Sequence, residues 1–217
     1  MLQKQNRMAK AKDSGKKDFS TEEKIKEAAR IVFYRKGFAD TRTRDIAEEA
    51  EINLALLNYY FRSKQKLFEI IMIETLSGFV RNMITVLNDE KTNLDDKVSE
   101  IATRYIDLIT KEPEIPTFIV SEIRSNPALL LNKLPIREVL MNSVFFKQHQ
   151  KAVAEGKIKE PNPLHFLMNL MGLIVFPFIA KPLLMGASDT NAAAFNEMME
   201  KRKTLVPVWI KAMMQAE

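Results

Sequence analysis

Residues 52–68 read INLALLNYYFRSKQKLF, and this stretch decides which fold the chain can adopt. Asn53 is of a type that begins helices, because its side chain can accept a free backbone N–H. At about 100° per residue, Ala55 and Tyr59 lie on the face opposite Leu57, which we expect to be buried. The solvent face is therefore apolar and partly aromatic, although arginine and lysine follow it directly. Such a face predicts contact with another molecule.

A helix over residues 21–36 is predicted ahead of this stretch. Ser20 and Glu23 have the spacing of a capping box, and Gly37 favours the left-handed turn that ends a helix. The apolar positions at helical spacing are Ile25, Ala28, Ala29, Val32 and Phe33.

A shorter helix is predicted between these two, capped by Thr41 or one of its neighbours. Its inward positions are Ile46, Ala47 and Ala50. This helix, the turn after it and the helix that begins at Asn53 form a helix-turn-helix, with the first helix in support. Ser63 can cap a fourth helix, which continues toward Asn88.

The rest of the chain keeps helical periodicity and shows no strand alternation. Further helices are predicted over residues 95–111, 115–125, 135–156, 163–184 and 190–216. The fold class is all-α with about nine helices. We divide the chain into a flexible basic arm (1–19), a helix-turn-helix head (20–65) and a larger helical ligand-binding and dimerisation domain (66–217).

Composition limits the function classes. The 217 residues include no cysteine, which excludes disulfides and thiolate chemistry. The two histidines, His149 and His165, have no carboxylate at metal-binding spacing, and no glycine-rich phosphate loop occurs. We therefore expect no enzyme, no metal and no cofactor. The amino terminus has no apolar segment of the signal-peptide kind, which favours a cytoplasmic location.

Positive charge is concentrated at the start of the chain. Residues 1–19 hold six Lys/Arg against two Asp/Glu, residues 20–69 hold ten against nine, and residues 70–217 hold seventeen of each. A polyanionic partner should therefore meet the first third of the chain. The arm could follow the DNA backbone or enter a minor groove, or it could simply be solvated.

The segment over residues 21–67 reads TEEKIKEAARIVFYRKGFADTRTRDIAEEAEINLALLNYYFRSKQKL and resembles the DNA-binding domain of TetR-family transcriptional regulators. The likeness rests on EKIKEAA, KGF, RDIA and LNYYFRSK followed by LF. It implies a homodimer that binds a palindromic operator on double-stranded DNA. It also implies release by a small-molecule effector in the larger domain, and pairing of the last two helices, residues 163–216, across a two-fold axis.

Three positions depart from the family pattern. Glu51 stands where glycine is common, so the turn is made without a left-handed glycine, or with some strain. Asn53 replaces a serine and can cap in the same way. Asn58 replaces a tyrosine whose hydroxyl relatives often set against a phosphate.

The predicted DNA-binding residues are Thr43, Arg44, Ala55, Leu56, Asn58, Tyr59, Tyr60 and Lys64. Ala55 and Leu56 suit thymine methyl groups, and Asn58 and Tyr59 suit base edges or sugars. Arg44 matches a family position that can reach a guanine edge; the alternative is a solvated arginine, which could pair with Glu48 on its own helix. Thr43, Tyr60 and Lys64 are assigned to phosphate contacts. The alternative for Tyr60 is a position in the core, and the alternative for Lys64 is a solvated side chain.

The larger domain offers weaker signals. Ligand-pocket candidates, chosen as apolar or aromatic walls with one charged anchor, are Tyr105, Phe118, Arg124, Phe145, Phe146, Phe166 and Met168. Residues 164–184 are apolar and long enough to raise the question of a membrane-spanning helix. Polar residues and prolines interrupt them, so we favour a helix shared between the core and a dimer partner, without a membrane.

The function predicted from sequence is a DNA-binding regulator, a repressor that a small molecule releases. An architectural DNA-binding protein that needs no effector is the alternative, since the same head and arm would serve it. An enzyme or ligand carrier with a vestigial head is disfavoured, because the sequence shows no catalytic constellation.

Overall fold

The computed structural model describes the backbone of residues 2–125, 127–134, 139 and 141–215, with side chains from residue 21 onward except 129–131. All regular structure in these residues is helical, which confirms the all-α prediction. The helices are α1 Leu2–Asp40, α2 Thr43–Glu49, α3 Leu54–Phe61, α4 Lys64–Leu87, α5 Leu94–Lys111, α6 Ile115–Ser125, α7 Pro127–Lys133, α8 Val144–Ala154, α9 Pro163–Ile179, α10 Lys181–Ser188 and α11 Ala192–Gln215.

Contacts divide the chain into two compact units, Met1–Thr75 and Leu76–Glu217, so the division falls within α4. We call the first unit the head. Helix α1 begins ahead of the predicted start at residue 21, and the predicted capping side chain of Ser20 lies outside the described side chains. The predicted end at Gly37 is confirmed, because its φ of 72° breaks the helix.

The head is packed around aromatic and aliphatic side chains from all four of its helices. The buried positions include the predicted Ile25, Ala28, Ala29, Val32, Phe33, Ile46, Ala47, Ala50, Leu57 and Phe61. The ring of Phe68 on α4 lies 4.9 Å edge-on from Phe33 and 4.7 Å from Phe38. Edge-to-face rings at this distance stabilise a core beyond their buried area. The helix-turn-helix therefore stands on a rigid support.

The turn between α2 and α3 holds Glu51 in the left-handed region, with φ of 53°. This confirms the strained form of the turn, since a side chain at positive φ costs about 1–2 kcal/mol relative to glycine. The exposed carboxylate of Glu51 lies 3.3 Å from the ammonium of Lys24. This contact offsets little of that cost, because both groups are solvated.

The larger unit is built around α5, which packs most extensively on α11 and also on α9 and α8. Its inner face buries Val98, Ile101, Ala102, Tyr105, Ile106 and Ile109. Lys97 is fully buried at the start of this face, and its ammonium donates to the backbone oxygens of Asp89 and Thr92. Burial lowers the pKa of Lys97. The charge is tolerated because backbone and hydroxyl oxygens surround it.

Two predicted helices of the larger unit differ from the structure. The helix predicted over 163–184 is broken at Ala180 into α9 and α10, which are bent by 66°. Pro182 is the reason, because it has no N–H to continue the ladder. The helix predicted from Pro135 is seen from Val144, where the Ser143 hydroxyl caps it; residues 135–138 lie outside the described residues.

Among the described helices, α4 is long and apolar enough to cross a membrane, and α9 with α10 passes the same test as a bent pair. Only a third of the most apolar part of α4 is buried within the chain. The core helices of soluble proteins meet this criterion as well, so the finding carries little weight by itself.

Candidate DNA-binding surface and ligand cavities

Helix α3 presents the face that the sequence assigns to DNA. The Asn53 side chain accepts the backbone N–H of Leu56 at 2.8 Å, which confirms it as the cap. Leu57 is buried, whereas Tyr59 is 76% exposed on the opposite side. Ala55 and Asn58 are exposed, and Leu56 is half-buried. The face is thus turned to solvent, as its periodicity predicted.

Tyr59 and Tyr60 form a pair at the end of this face. Their ring centroids lie 5.4 Å apart and the rings are nearly perpendicular. Tyr60 is half-buried and also lies against Phe61. The Tyr60 ring therefore stands at the boundary between core and solvent and holds the exposed Tyr59 ring from one side.

The first turn of helix α2 is closed by a carboxylate. The backbone N–H of Arg42 donates to Asp45 at 2.9 Å, and Lys36 lies 3.1 Å from the same carboxylate. These contacts hold the pKa of Asp45 below its ordinary value. Thr43 is half-buried and Arg44 is exposed. The structure shows no ion pair between Arg44 and Glu48, both of which it describes, so the Arg44 guanidinium faces solvent.

Lys64 is placed differently from a plain surface lysine. Its ammonium donates to the backbone oxygens of Phe38 and Thr41, both at 2.8 Å, and lies 4.2 Å from the Phe38 ring centroid. Two of its three donors are therefore used inside the head. A phosphate contact by Lys64 stays a prediction, with one ammonium donor and the backbone N–H groups that begin α4 left for it.

Exposed cations that the sequence did not assign to DNA lie at the start of α2, at the end of α3 and in the first turn of α4. They are Arg42, Arg62 and Lys66. The signal for them was present in RTR and FRSKQK, where basic residues alternate with small or polar ones. Because the predicted residues were chosen by helical face, residues at helix ends and in turns were passed over.

The predicted ligand-pocket residues do not gather in one cavity. Phe145 and Phe166 are buried with ring centroids 5.0 Å apart, and Phe118 is buried separately on α6. Arg124, chosen as the charged anchor, is exposed, Phe146 is half-buried and Met168 is 60% exposed. Residue type alone does not indicate which face of each helix points inward.

Tyr105 is buried at 3% exposure, where its hydroxyl donates to the backbone oxygen of Phe79 at 3.2 Å. The two rings lie 4.3 Å apart. Burial raises the pKa of the Tyr105 hydroxyl well above its ordinary value, so it stays protonated. The hydroxyl is thus committed to a bond within the core.

An apolar cavity of about 200 Å³ lies between α4, α6 and α9 in the larger unit. The described side chains that line it are all apolar: Leu76, Phe79, Val80, Met83, Ile119, Ile123, Leu134, Val139, Leu167 and Met171. None of the predicted pocket residues is among them, although Phe118 precedes Ile119. Sequence reasoning missed this set because its members come from distant segments and look like ordinary core residues.

A second cavity, of about 340 Å³, is bounded by α8, α9 and α11 and by the segment between α8 and α9. Phe166 and Met168 line it, together with His149, Glu160, His165, Asn169, Ile210, Met213 and Met214. Glu160 pairs with His165 at 3.0 Å, a contact that sequence spacing did not suggest. Among the described residues, no group of three or more His, Cys, Asp or Glu is arranged to hold a metal ion.

Two sequence comparisons match this chain. The family model described as bacterial regulatory proteins, tetR family, matches residues 25–71. The protein named Probable HTH-type transcriptional regulator YttP, from Bacillus subtilis (strain 168), is 26% identical over 168 residues, covering 74% of this chain and 78% of that protein.

Solved structures share the fold. HlyIIR, a hemolysin II transcriptional regulator, is 21% identical with a TM-score of 0.63, covering 91% of this chain and 98% of its own. FadR from Bacillus subtilis, in complex with stearoyl-CoA, is 17% identical with a TM-score of 0.62, covering 88% and 97%. At these identities the likeness establishes the fold alone.

A solvent-facing helix-turn-helix on a rigid helical head, followed by a helical unit with cavities, defines the class of one-component DNA-binding regulators. The family-model match over residues 25–71 and the match to YttP over 168 residues confirm the resemblance drawn from sequence. Residues 25–71 are a TetR-family DNA-binding region, and the chain is a DNA-binding transcriptional regulator.

Proposed function

We propose that this cytoplasmic regulator binds a palindromic operator as a homodimer and represses until a small apolar effector enters its larger unit. The observation that carries the proposal is the exposed face of α3. Tyr59 is 76% exposed and lies beside Ala55 and Asn58, which are exposed as well. Apolar and amide groups of this kind match thymine methyl groups and base edges in a major groove.

Homodimer formation through residues 163–216 is supported by the composition of their surface. Large apolar side chains are exposed there, namely Leu164, Met168, Phe176, Ile179, Leu183, Leu184, Met198, Leu205, Val208 and Met213. Exposed apolar surface of this extent is typical of an interaction site. A two-fold axis would present two heads to half-sites about 34 Å apart, which is one helical turn of DNA.

The apolar cavity is the proposed effector site. Among the described residues, no charged or hydrogen-bonding side chain lines it, so an uncharged hydrocarbon group, as the effector or as part of it, fits this wall. The acyl chain of the stearoyl-CoA held by FadR is one such group. Helix α4 begins in the head and lines the cavity with its later residues, so occupancy can favour a state of α4 that no longer fits the operator.

The first experiment selects binding sites from random DNA at fixed, moderate salt. We expect a palindrome. Tyr59→Ala should weaken binding to it by about tenfold, since one base contact contributes about 1–3 kcal/mol. Tyr59→Phe should keep most of the affinity if the ring makes the contact, and Ile31→Ala, at an exposed position of α1, should change nothing. If unrelated DNA competes for the protein as well as the selected DNA does, the protein binds without sequence preference, which would instead indicate an architectural protein.

The second experiment tests the effector site with 1-decanol as the probe. We expect decanol to release the selected operator. Val80→Phe should abolish that response, because the larger side chain fills the apolar cavity, while operator binding without decanol is kept. Val120→Phe on α6, at a position outside the lining, serves as the matched control. Equal release of both variants would show that decanol acts elsewhere.

A further inference from the structure

His149 occupies an unusual position in the larger unit. It lies on α8 with 1% of its surface exposed, and both ring nitrogens are buried without a hydrogen-bond partner within the described residues. A neutral imidazole has one N–H donor and one acceptor nitrogen. Buried polar atoms in native proteins nearly always have hydrogen-bond partners, so two buried nitrogens without partners need an explanation.

The second cavity supplies the place where a partner could lie. His149 forms part of its wall, and its volume of about 340 Å³ falls within the range of about 300–1,000 Å³ seen for ligand sites. The remaining hydrogen-bonding groups are mostly occupied. Glu160 accepts the backbone N–H of Asn162 at 2.8 Å and pairs with His165 at 3.0 Å. Asn169 is exposed at the rim. His149 is therefore the buried group left to orient a ligand.

The other walls indicate the body of such a ligand. The Phe166 ring lies 6.2 Å from the His149 ring, and the Phe145 ring is roughly parallel to His149 at 6.5 Å. Met213 and Met214 complete the lining from α11. Methionine sulfur and phenylalanine edges favour aromatic partners. An aromatic ring fits these surroundings better than a flexible chain.

Charge restricts the ligand further. The hydrogen bond from His165 and that from the Asn162 backbone hold the pKa of Glu160 below its ordinary value, so this carboxylate stays ionised and repels an anion. Burial lowers the pKa of His149, which keeps its ring neutral and unable to bind an anion as a cation would. A ligand with one neutral hydroxyl meets both conditions.

We propose that the cavity walled by His149 is a second binding site, for a small neutral aromatic molecule whose hydroxyl hydrogen-bonds to the His149 ring. It is separate from the apolar effector cavity, because none of the described side chains lines both. Helix α9 stands between them, with Leu167 and Met171 toward one and Phe166 and Asn169 toward the other. The second site does not depend on the proposed effector role of the first.

The test uses the full chain and the matched probes 4-methylphenol and toluene, which differ by one hydroxyl. Because the chain has only two histidines, ¹⁵N-histidine spectra contain two imidazoles, and His165→Asn identifies them. We expect 4-methylphenol to shift the His149 ring signals saturably and to bind about tenfold more tightly than toluene, the contribution of one hydrogen bond.

His149→Phe keeps an aromatic ring and removes both nitrogens. The comparison is made in the Val80→Phe background, because the apolar cavity would itself bind a hydrocarbon such as toluene. There, His149→Phe should lower 4-methylphenol affinity by about tenfold and leave toluene binding unchanged. Equal binding of the two probes by the Val80→Phe chain, or His149 signals that respond to neither up to solubility, would overturn the proposal. That comparison needs no His149 variant, so it stands even if His149→Phe fails to fold. Failure here would leave operator binding and its release by decanol untouched.

Discussion

Replacing Leu57 with alanine is expected to lower the free energy of unfolding of the head by about 2–5 kcal/mol. Leu57 is 1% exposed at the centre of the buried face of α3. Removing most of its side chain leaves a cavity, because the neighbouring side chains can relax only in part. Hydrogen exchange in the full chain measures the effect, as faster exchange of the α3 amides.

The neighbouring Leu56 provides the contrast. It is half-buried, about 100° around the same helix from Leu57, and its backbone N–H donates to the Asn53 side chain. Leu56→Lys should therefore leave exchange protection within about 0.5 kcal/mol of the native value, and it should change the base preference found by selection. A head that unfolds in Leu56→Lys would show that Leu56 belongs to the core.

Replacing Arg202 with methionine is expected to destabilise the larger unit by about 1.5–3 kcal/mol, the contribution of a hydrogen bond to a charged group. Pro177 lies inside α9 and has no N–H, so it cannot donate to the oxygen of Leu173 four residues earlier. Arg202 on α11 donates to that oxygen at 2.7 Å, and its guanidinium lies 5.0 Å from the Trp209 ring. The substitution leaves a carbonyl without its donor.

A double-mutant cycle isolates this contribution. Pro177→Ala restores an N–H that can reach the Leu173 oxygen, so Arg202→Met should cost less in that background by about 1 kcal/mol or more. Denaturant unfolding followed by circular dichroism gives the four free energies. Lys201→Met, at an exposed residue paired with Glu197 at 2.7 Å, is the control and should cost less than about 1 kcal/mol. Additive costs for the two substitutions would refute the assigned role of Arg202.

The head could be predicted in detail because its signals are local. The caps at Asn53 and Ser63 act within three residues of themselves, and both were predicted from residue type and spacing. The periodicity that placed Leu57 inside and Tyr59 outside needs only the helical repeat. Local signals did not predict the contacts of Lys64, because its ammonium donates to backbone oxygens more than twenty residues earlier in the chain.

The cavities of the larger unit could not be predicted in this way. Tyr105 and Phe145 have the residue types of a ligand wall, yet both are part of the buried core. The apolar cavity instead takes side chains from α4, α6 and α9 that no spacing in the sequence relates. Choosing residues by type cannot distinguish a wall from a core, because both are apolar and aromatic.

By itself the sequence determined the all-helical class, the helix-turn-helix and the face of α3 that meets solvent. Each follows from periodicity and capping within a few turns of helix, where neighbours in sequence are neighbours in space. Only the tertiary structure decided that Arg202 donates to the Leu173 oxygen, which Pro177 leaves without its helical donor. It also decided that the described residues offer the ring nitrogens of His149 no hydrogen-bond partner, beside a cavity. Those facts depend on which helix faces pack together, and packing joins residues from distant segments.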